Sequence, residues 1–362
     1  MVPVLNSSGF PVAHSRTGLM SKPHTTSHTA TDRVRYLDGW RACAILAVLF
    51  GHFITTKGIN LGRFGVELFF VLSGRLMAEI LFVRNTPLTS FFPRRFSRIY
   101  PAMFVLALCI LLWRFITASA DPTDGQLVAA VTLTANYAQF WTGRSQILDH
   151  IWSLCIEEHI YILLGFLALL HRWRPLPIAA IFLSVAFLAI INGIFRTAHG
   201  GGYYAVYWRT DVRGASILLG AASYLLLREK IPRALDFAWM PVALCILAII
   251  LNIRAVPDPI KYSIGTAILA IGLVTMHRSP VSILKILEHP LLLRIGILSY
   301  SIYLWQQPFA KEGDSDIFVR AILLAASIAA ALASFYIVEQ PLRLYLNRRW
   351  HTRRAPVNEG QP

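Results

Sequence analysis

Charged residues are scarce in this sequence. Only 15% of its 362 residues are charged, whereas 56% are hydrophobic. A soluble domain carries about 25% charged residues. The composition therefore excludes an ordinary soluble protein and predicts an all-α, polytopic bundle of membrane-spanning helices.

Acidic residues and cysteines are also few. The chain has 19 Asp and Glu against 34 Lys and Arg. This excess need not indicate nucleic acid, because basic residues of membrane proteins gather on the cytoplasmic side. We therefore expect a lipid bilayer as a partner and no nucleic acid. The 4 cysteines lie in apolar runs without disulfide or metal-ligand spacing, so we expect hydrophobic packing and no metal site.

Ten apolar runs approach the roughly twenty residues that a membrane helix needs. They are 37–56, 65–83, 100–118, 150–170, 177–195, 209–227, 236–253, 261–277, 296–310 and 317–337. Ten spans place both termini on one side. If that side is cytoplasmic, it receives 21 Lys and Arg and the opposite side receives 10, as the positive-inside rule predicts.

The chain divides accordingly into a membrane domain and two tails. Residues 1–31 lack the apolar core of a signal peptide and are rich in Ser, Thr, His and Pro, which predicts a disordered cytoplasmic tail. Residues 32–343 form the membrane domain. Residues 344–362 form a basic cytoplasmic tail.

The first apolar run contains a stretch that begins at Arg41 and ends at His52. Eleven residues of α-helix make almost three full turns, so the two side chains share a face, about 16 Å apart along the axis. A membrane helix with two ionisable groups on one face lines a bundle interior or a wet cavity. Alternatively, Arg41 extends to the membrane surface and His52 is a hydrogen-bonded core histidine.

The second run places Glu67 at about the depth of His52 if it runs back inward. A carboxylate in a low-dielectric site would orient the imidazole and raise its basicity. We therefore predict a catalytic pair of His52 and Glu67. Arg75, deeper in the same run, is costly unless it meets an anion or a water-filled passage.

Three arginines, Arg94, Arg95 and Arg98, follow this run and are interleaved with aromatic residues such as Tyr100. If the segment is helical, the arginines form one cationic face that could bind phosphates through paired hydrogen bonds. The alternative is that they serve only as a positive-inside signal.

The fourth run carries His150 and Glu157, which are seven residues apart and therefore lie on one helix face. Glu157 and Glu158 are adjacent carboxylates well inside a span. Charges at that depth are expensive and usually functional. We therefore predict catalytic roles for His150 and Glu157.

Taken in order, these motifs resemble the acyltransferase-3 family of bacterial membrane O-acyltransferases. Members acylate polysaccharides, lipopolysaccharide, Nod factors or macrolides. The matching segments are 41–52, 65–74, 95–101, 150–158, 299–305 and 339–343. The resemblance covers most of the chain, from about Val34 to Arg343.

The resemblance implies a multi-pass protein of the bacterial cytoplasmic membrane that uses cytoplasmic acyl-CoA, expected to be acetyl-CoA, and has no permanently bound cofactor. The acceptor would be a hydroxyl of a carbohydrate or glycolipid, reached from the outer side. The catalytic candidates are His52, Glu67, Glu157 and His150. The donor-binding candidates are Arg41, Arg95, Arg98, Arg94, Arg75 and Tyr100.

The sequence departs from the family pattern at three places. Glu67 replaces the usual Asp, and Arg75 replaces an aromatic residue. Gln306 and Gln307 stand where a histidine is common, so we assign that region no catalytic role. Members that modify peptidoglycan carry an extracellular esterase-like domain after the membrane part. None follows Arg343 here, which favours another acceptor.

Two other classes of function remain open. A transporter or flippase would also use ten helices and buried charges. A membrane sensor or scaffold without turnover would not need His52. The arginine cluster beside a His and carboxylate set favours the enzyme, since a transporter has less need of a base near neutral pKa.

The charge distribution predicts the topology. A reporter fused after Arg354 should be cytoplasmic, and a cysteine placed within residues 121–125 should react with an impermeant thiol reagent added outside, because the more basic side faces the cytoplasm. Labelling from the opposite side would contradict the orientation.

Overall fold

The computed structural model describes residues 34–54, 58–310 and 316–352, and within them the chain is built from α-helices. The predicted tail 1–31, the last ten residues and the short segments 55–57 and 311–315 lie outside the described residues. The helices belong to one compact unit that begins at Arg35.

The helices follow one another along the chain, labelled here in order. The first eight are α1 Arg35–Phe53, α2 Leu61–Ala78, α3 Leu88–Thr117, α4 Asp124–Val131, α5 Ala135–Thr142, α6 Ile151–Trp173, α7 Ile178–Ala198 and α8 Tyr203–Tyr207. The next eight are α9 Thr210–Leu227, α10 Met240–Ile250, α11 Asp258–Ile260, α12 Thr266–Thr275, α13 Val281–Leu287, α14 Pro290–Gln306, α15 Ile317–Ala333 and α16 Gln340–Thr352. Short π-helical segments follow α2, α11 and α15 at Glu79–Val83, Lys261–Gly265 and Ser334–Glu339.

All ten predicted spans coincide with helices. Five stretches of the described chain are long and apolar enough to cross a membrane, namely Leu88–Thr117, Ile151–Trp173, Ile178–Ala198, Asp258–Arg278 and Ile317–Trp350. Large apolar side chains cover their outer faces, such as Phe115, which is 86% exposed, and Phe318, which is 74% exposed. The all-helical, multi-pass membrane fold is confirmed. The count of ten spans and the cytoplasmic termini stay predictions.

Glycines allow the central helices to approach closely. A Cβ atom on Gly74 of α2 would lie 1.9 Å from the carbonyl oxygen of Ile217 in α9. Reciprocally, a Cβ on Gly220 of α9 would lie 2.4 Å from the carbonyl oxygen of Val71 in α2. Small residues commonly bring helix backbones together in membranes, where packing drives association. Gly74 and Gly220 thus fix α2 against α9.

Helix α1 is held in the same way. A Cβ on Gly296 of α14 would lie 2.0 Å from the carbonyl oxygen of Asp38, and a Cβ on Gly65 of α2 would lie 2.5 Å from that of Ala44. Since α1 is packed between α2 and α14, the residues along its length have a fixed register with both neighbours.

The close contact of α2 and α9 can be tested by a substitution at Gly74. Replacing Gly74 with Ala should destabilise the protein by about 1–3 kcal/mol, because the added methyl group overpacks a backbone contact. The measurement is the midpoint of thermal unfolding in detergent. Gly202→Ala is the control, since a Cβ there meets no described atom within 4 Å. Equal midpoints would contradict the packing.

Candidate active site

Helices α1, α2, α3, α6 and α14 line a cavity that is partly open to solvent. Apolar side chains such as Phe69, Phe70 and Leu72 form part of its wall. Its polar lining consists of Arg41, Ser73, Arg95, Arg98, Ser153, Glu157, Tyr161, Ser299, Tyr300 and Tyr303. A cavity with a few polar groups in an apolar wall is the usual form of a small-molecule site.

Three arginines lie together at one end of the cavity. The segment predicted as an inner loop is part of α3, so Arg95 and Arg98 lie one turn apart on the same helix face. Arg41 comes from α1 and interacts electrostatically with both. Arg95 and Arg98 of the predicted cationic face therefore line the cavity, whereas Arg94 does not.

Glu157, Glu158 and Glu339 interact electrostatically with Arg98, but few hydrogen bonds hold the three arginines among the described residues. Arg41 Nη1 donates to Asp38 Oδ1 at 3.1 Å. The Arg95 guanidinium lies 4.5 Å from the ring centroid of Tyr161, a cation–π contact. Among the residues that the structure describes, the Arg98 guanidinium has no hydrogen-bond partner. This end of the cavity is therefore suited to an anionic ligand.

Glu157 lies on the cavity wall between the two ends. Its carboxylate accepts a hydrogen bond from Ser73 Oγ at 3.0 Å and from Tyr161 Oη at 2.9 Å. These two bonds fix its orientation. Tyr161 and Ser153, which both line the cavity, are about 12 Å apart along α6, so the cavity follows this helix from the arginines towards its start.

The remaining donor-binding candidates do not line this cavity. Arg94 is exposed on the outside of α3. Arg75 donates to Glu79, one turn along, at 3.0 Å and lies over the ring of Tyr224 at 4.8 Å. The structure thus gives Arg75 an ion pair within its own helix rather than a place in the passage.

Tyr100 lies in a neighbouring groove between α3 and α6. Its ring stacks on Phe96 with centroids 4.6 Å apart. The same groove is lined by Glu158, and Arg95 lies between it and the cavity. Glu157 and Glu158, although adjacent in sequence, therefore face different spaces.

Two histidines lie beyond the opposite end. Tyr303 lines the cavity, donates to the His150 carbonyl oxygen at 2.9 Å and packs on the His150 ring, with centroids 5.7 Å apart. One helical turn beyond Tyr303, Gln306 Oε1 lies 2.6 Å from His52 Nδ1. His52 and His150 interact electrostatically. The predicted histidines are therefore brought together.

The predicted pair of His52 and Glu67 is wrong. The Glu67 carboxylate forms an ion pair with Arg213 of α9 and accepts a hydrogen bond from Thr266 of α12. Glu67 is 2% exposed and Arg213 is 0% exposed. A buried carboxylate is best stabilised by a permanently charged partner, and arginine provides one whereas histidine does not. Glu67 thus ties α2 to α9 and α12.

Sequence reasoning also missed Gln306, the partner of His52. Gln306 was given no catalytic role because it replaces a residue common in the family. The available signal was a polar amide within an apolar run, three residues after Tyr303.

A comparison of the chain with known families agrees with these motifs. A family model described as an acyltransferase domain matches residues 34–339. The chain belongs to the acyltransferase-3 family. No solved structure matches it.

Curated relatives of this acyltransferase-3 protein include O-acetyltransferases of Listeria monocytogenes and Staphylococcus aureus. The chain is 30% identical to the peptidoglycan O-acetyltransferase OatA of Listeria monocytogenes over 88% of this chain and 57% of that protein. It is 28% identical to the O-acetyltransferase OatA of Staphylococcus aureus over 85% of this chain and 57% of that protein. The chain therefore spans little more than half the length of these relatives.

The stability of this family member should depend on the buried ion pair of Glu67 and Arg213. Arg213→Met should cost about 3–5 kcal/mol, because it leaves a buried carboxylate without its cation. The double variant Glu67→Gln with Arg213→Met should recover part of that loss, since the charge is removed as well. The measurement is thermal unfolding in detergent.

The control is Arg278→Met, which removes an exposed ion pair to Asp236 and should change stability by about 1 kcal/mol or less. If Arg213→Met lowered the midpoint of thermal unfolding no more than Arg278→Met, the assigned role of the buried pair would be wrong.

Proposed function

We propose that the protein is an O-acyltransferase of the bacterial cytoplasmic membrane. It moves an acyl group, expected to be acetyl, from cytoplasmic acyl-CoA to a hydroxyl of an extracytoplasmic or membrane-associated carbohydrate or glycolipid. The observation that carries the proposal is one cavity with three arginines at one end and the two histidines beyond the other.

The cationic end suits the phosphates of the donor. Guanidinium groups bind phosphate oxygens through paired, charge-assisted hydrogen bonds. The Arg98 guanidinium makes no hydrogen bond to a described residue, and Arg41 and Arg95 lie beside it. Acyl-CoA would neutralise this cluster. Its narrow pantetheine arm would then extend along α6, past Glu157 and Ser153, towards His150.

The reaction is transfer from a thioester to an alcohol. The acceptor hydroxyl oxygen attacks the thioester carbon, a C–O bond forms, and the C–S bond breaks. His52 takes the hydroxyl proton as general base, and the departing CoA sulfur recovers a proton. Such a base typically contributes 10²–10⁴-fold to the rate.

The acceptor is proposed by class. The relative from Listeria monocytogenes is named for O-acetylation of peptidoglycan, and the relative from Staphylococcus aureus is named an O-acetyltransferase. Both names support acetyl as the acyl group, and the first supports a carbohydrate hydroxyl as acceptor. His52 is exposed at its end of α1, where an acceptor could approach.

The donor site is tested by two arginines of α3. Arg98→Ala should weaken acyl-CoA binding about tenfold or more, because it removes charge-assisted contacts worth roughly 1.5–3 kcal/mol. The measurement is the Kd of purified protein for acetyl-CoA at low and high salt, and the defect should shrink at high salt.

Arg94→Ala is the matched control, since Arg94 is on the same helix but exposed outside the cavity. Its Kd should stay close to that of the unchanged protein. Equal Kd values for the two variants, with equal thermal stability, would contradict the donor site.

The catalytic claim is tested at His52. His52→Ala should lower acyl transfer about 10²–10⁴-fold with acetyl-CoA binding kept, because it removes the base but no donor contact. The measurement is transfer of labelled acetyl groups to the glycan fraction of membranes matched for expression. Unchanged transfer would make His52 a structural histidine and move the base to His150.

A further inference from the structure

We propose that Gln306 and Gln307 form an amide relay that fixes which nitrogen of His52 carries the proton. The relay is a chain of three hydrogen bonds from the Gln146 carbonyl group through Gln307 and Gln306 to the His52 ring. Gln306 and Gln307 are positioning residues in this scheme. The proposal rests on the proposed function, in which His52 is the base.

The relay starts at the backbone carbonyl group of Gln146, which can only accept a hydrogen bond. Gln307 Nε2 donates to the Gln146 carbonyl oxygen at 2.9 Å. A backbone carbonyl has no proton to give, so the amide nitrogen of Gln307 must face it. The amide oxygen of Gln307 is thereby turned towards Gln306.

The orientation of Gln307 fixes the orientation of the Gln306 amide group. Gln306 Nε2 donates to Gln307 Oε1 at 3.2 Å. With its nitrogen committed to that bond, Gln306 presents its oxygen to His52, and Oε1 lies 2.6 Å from Nδ1. An amide oxygen only accepts, so Nδ1 of His52 carries the proton. A neutral imidazole has one N–H group, and the lone pair is therefore on Nε2.

Burial makes the arrangement stable. Gln306 is 0% exposed, and an amide that lost its partners there would incur a desolvation penalty. Reversing Gln306 would place its NH₂ against Nδ1 and its oxygen against the oxygen of Gln307. The second contact is repulsive, so the anchored Gln307 selects one orientation of Gln306 and one tautomer of His52.

The relay separates two tasks that a carboxylate partner performs together. In a catalytic triad, a carboxylate both orients the histidine and stabilises its protonated form. A glutamine is uncharged and can only orient. His52 therefore needs no negative charge beside it to be held as a base, consistent with the engagement of Glu67 by Arg213.

The test reverses the relay at Gln307, which is only partly buried and tolerates substitution better than Gln306. Gln307→Glu loses the bond to the Gln146 carbonyl oxygen but keeps an acceptor for Gln306 Nε2, and should therefore preserve the tautomer. Gln307→Lys offers only donors, so Gln306 should turn over and present its NH₂ group to His52. Nδ1 would then accept, and the proton would move to Nε2.

Two readouts are taken on the full-length protein in detergent or in membranes. The first is the ¹⁵N spectrum of labelled histidine, with the His52 signals assigned by their loss in His52→Ala. Gln307→Glu should keep the protonated Nδ1, and Gln307→Lys should show a protonated Nε2. The second is labelled acetyl transfer, in which Gln307→Lys should lose about 10- to 1000-fold with acetyl-CoA binding unchanged.

The outcomes separate the two proposals. A Gln307→Lys protein that is folded, as judged by its thermal midpoint, and keeps Nδ1 protonated would overturn the relay whatever its activity. Full activity of His52→Ala would instead overturn the assignment of His52 as base, while the spectrum would still report on the relay. A switched tautomer with lost transfer supports both.

Discussion

The site depends on the cost of holding arginine side chains inside an apolar bundle. Arg41, Arg95 and Arg98 surround one end of a cavity in which, among the described residues, Glu157 is the only carboxylate of the lining. Charges in such surroundings are expensive unless an anion or water compensates them. The proposed anionic donor, on entering this end, would convert that cost into binding free energy, which would explain why the positive charges are concentrated where the cavity begins.

The rest of the bundle keeps these groups in register. Glycine contacts lock α1 between α2 and α14 and lock α2 onto α9. The ion pair of Glu67 and Arg213 adds a polar link between α2 and α9 in the same low-dielectric interior. Because α1 carries both Arg41 and His52, its fixed position sets the distance between the arginine end and the histidine end at about 16 Å.

Sequence reasoning predicted local features well and distant pairings poorly. Apolar run length located the membrane helices, and helical spacing placed Arg95 and Arg98 on one face. The bond of Arg75 to Glu79 was not predicted, although its i, i+4 spacing could be read from the sequence. The pairs Glu67–Arg213 and His52–Gln306 join residues 146 and 254 positions apart, and no periodicity within one helix constrains such partners.

The most direct test of the account is a structure of the protein with a non-hydrolysable thioether analogue of acetyl-CoA. The account predicts nucleotide phosphates against Arg95 and Arg98, a pantetheine arm beside Glu157, and the acyl carbon at the end of the cavity nearest His150 and His52. An analogue bound outside the cavity, or with its acyl end directed away from the histidines, would contradict it.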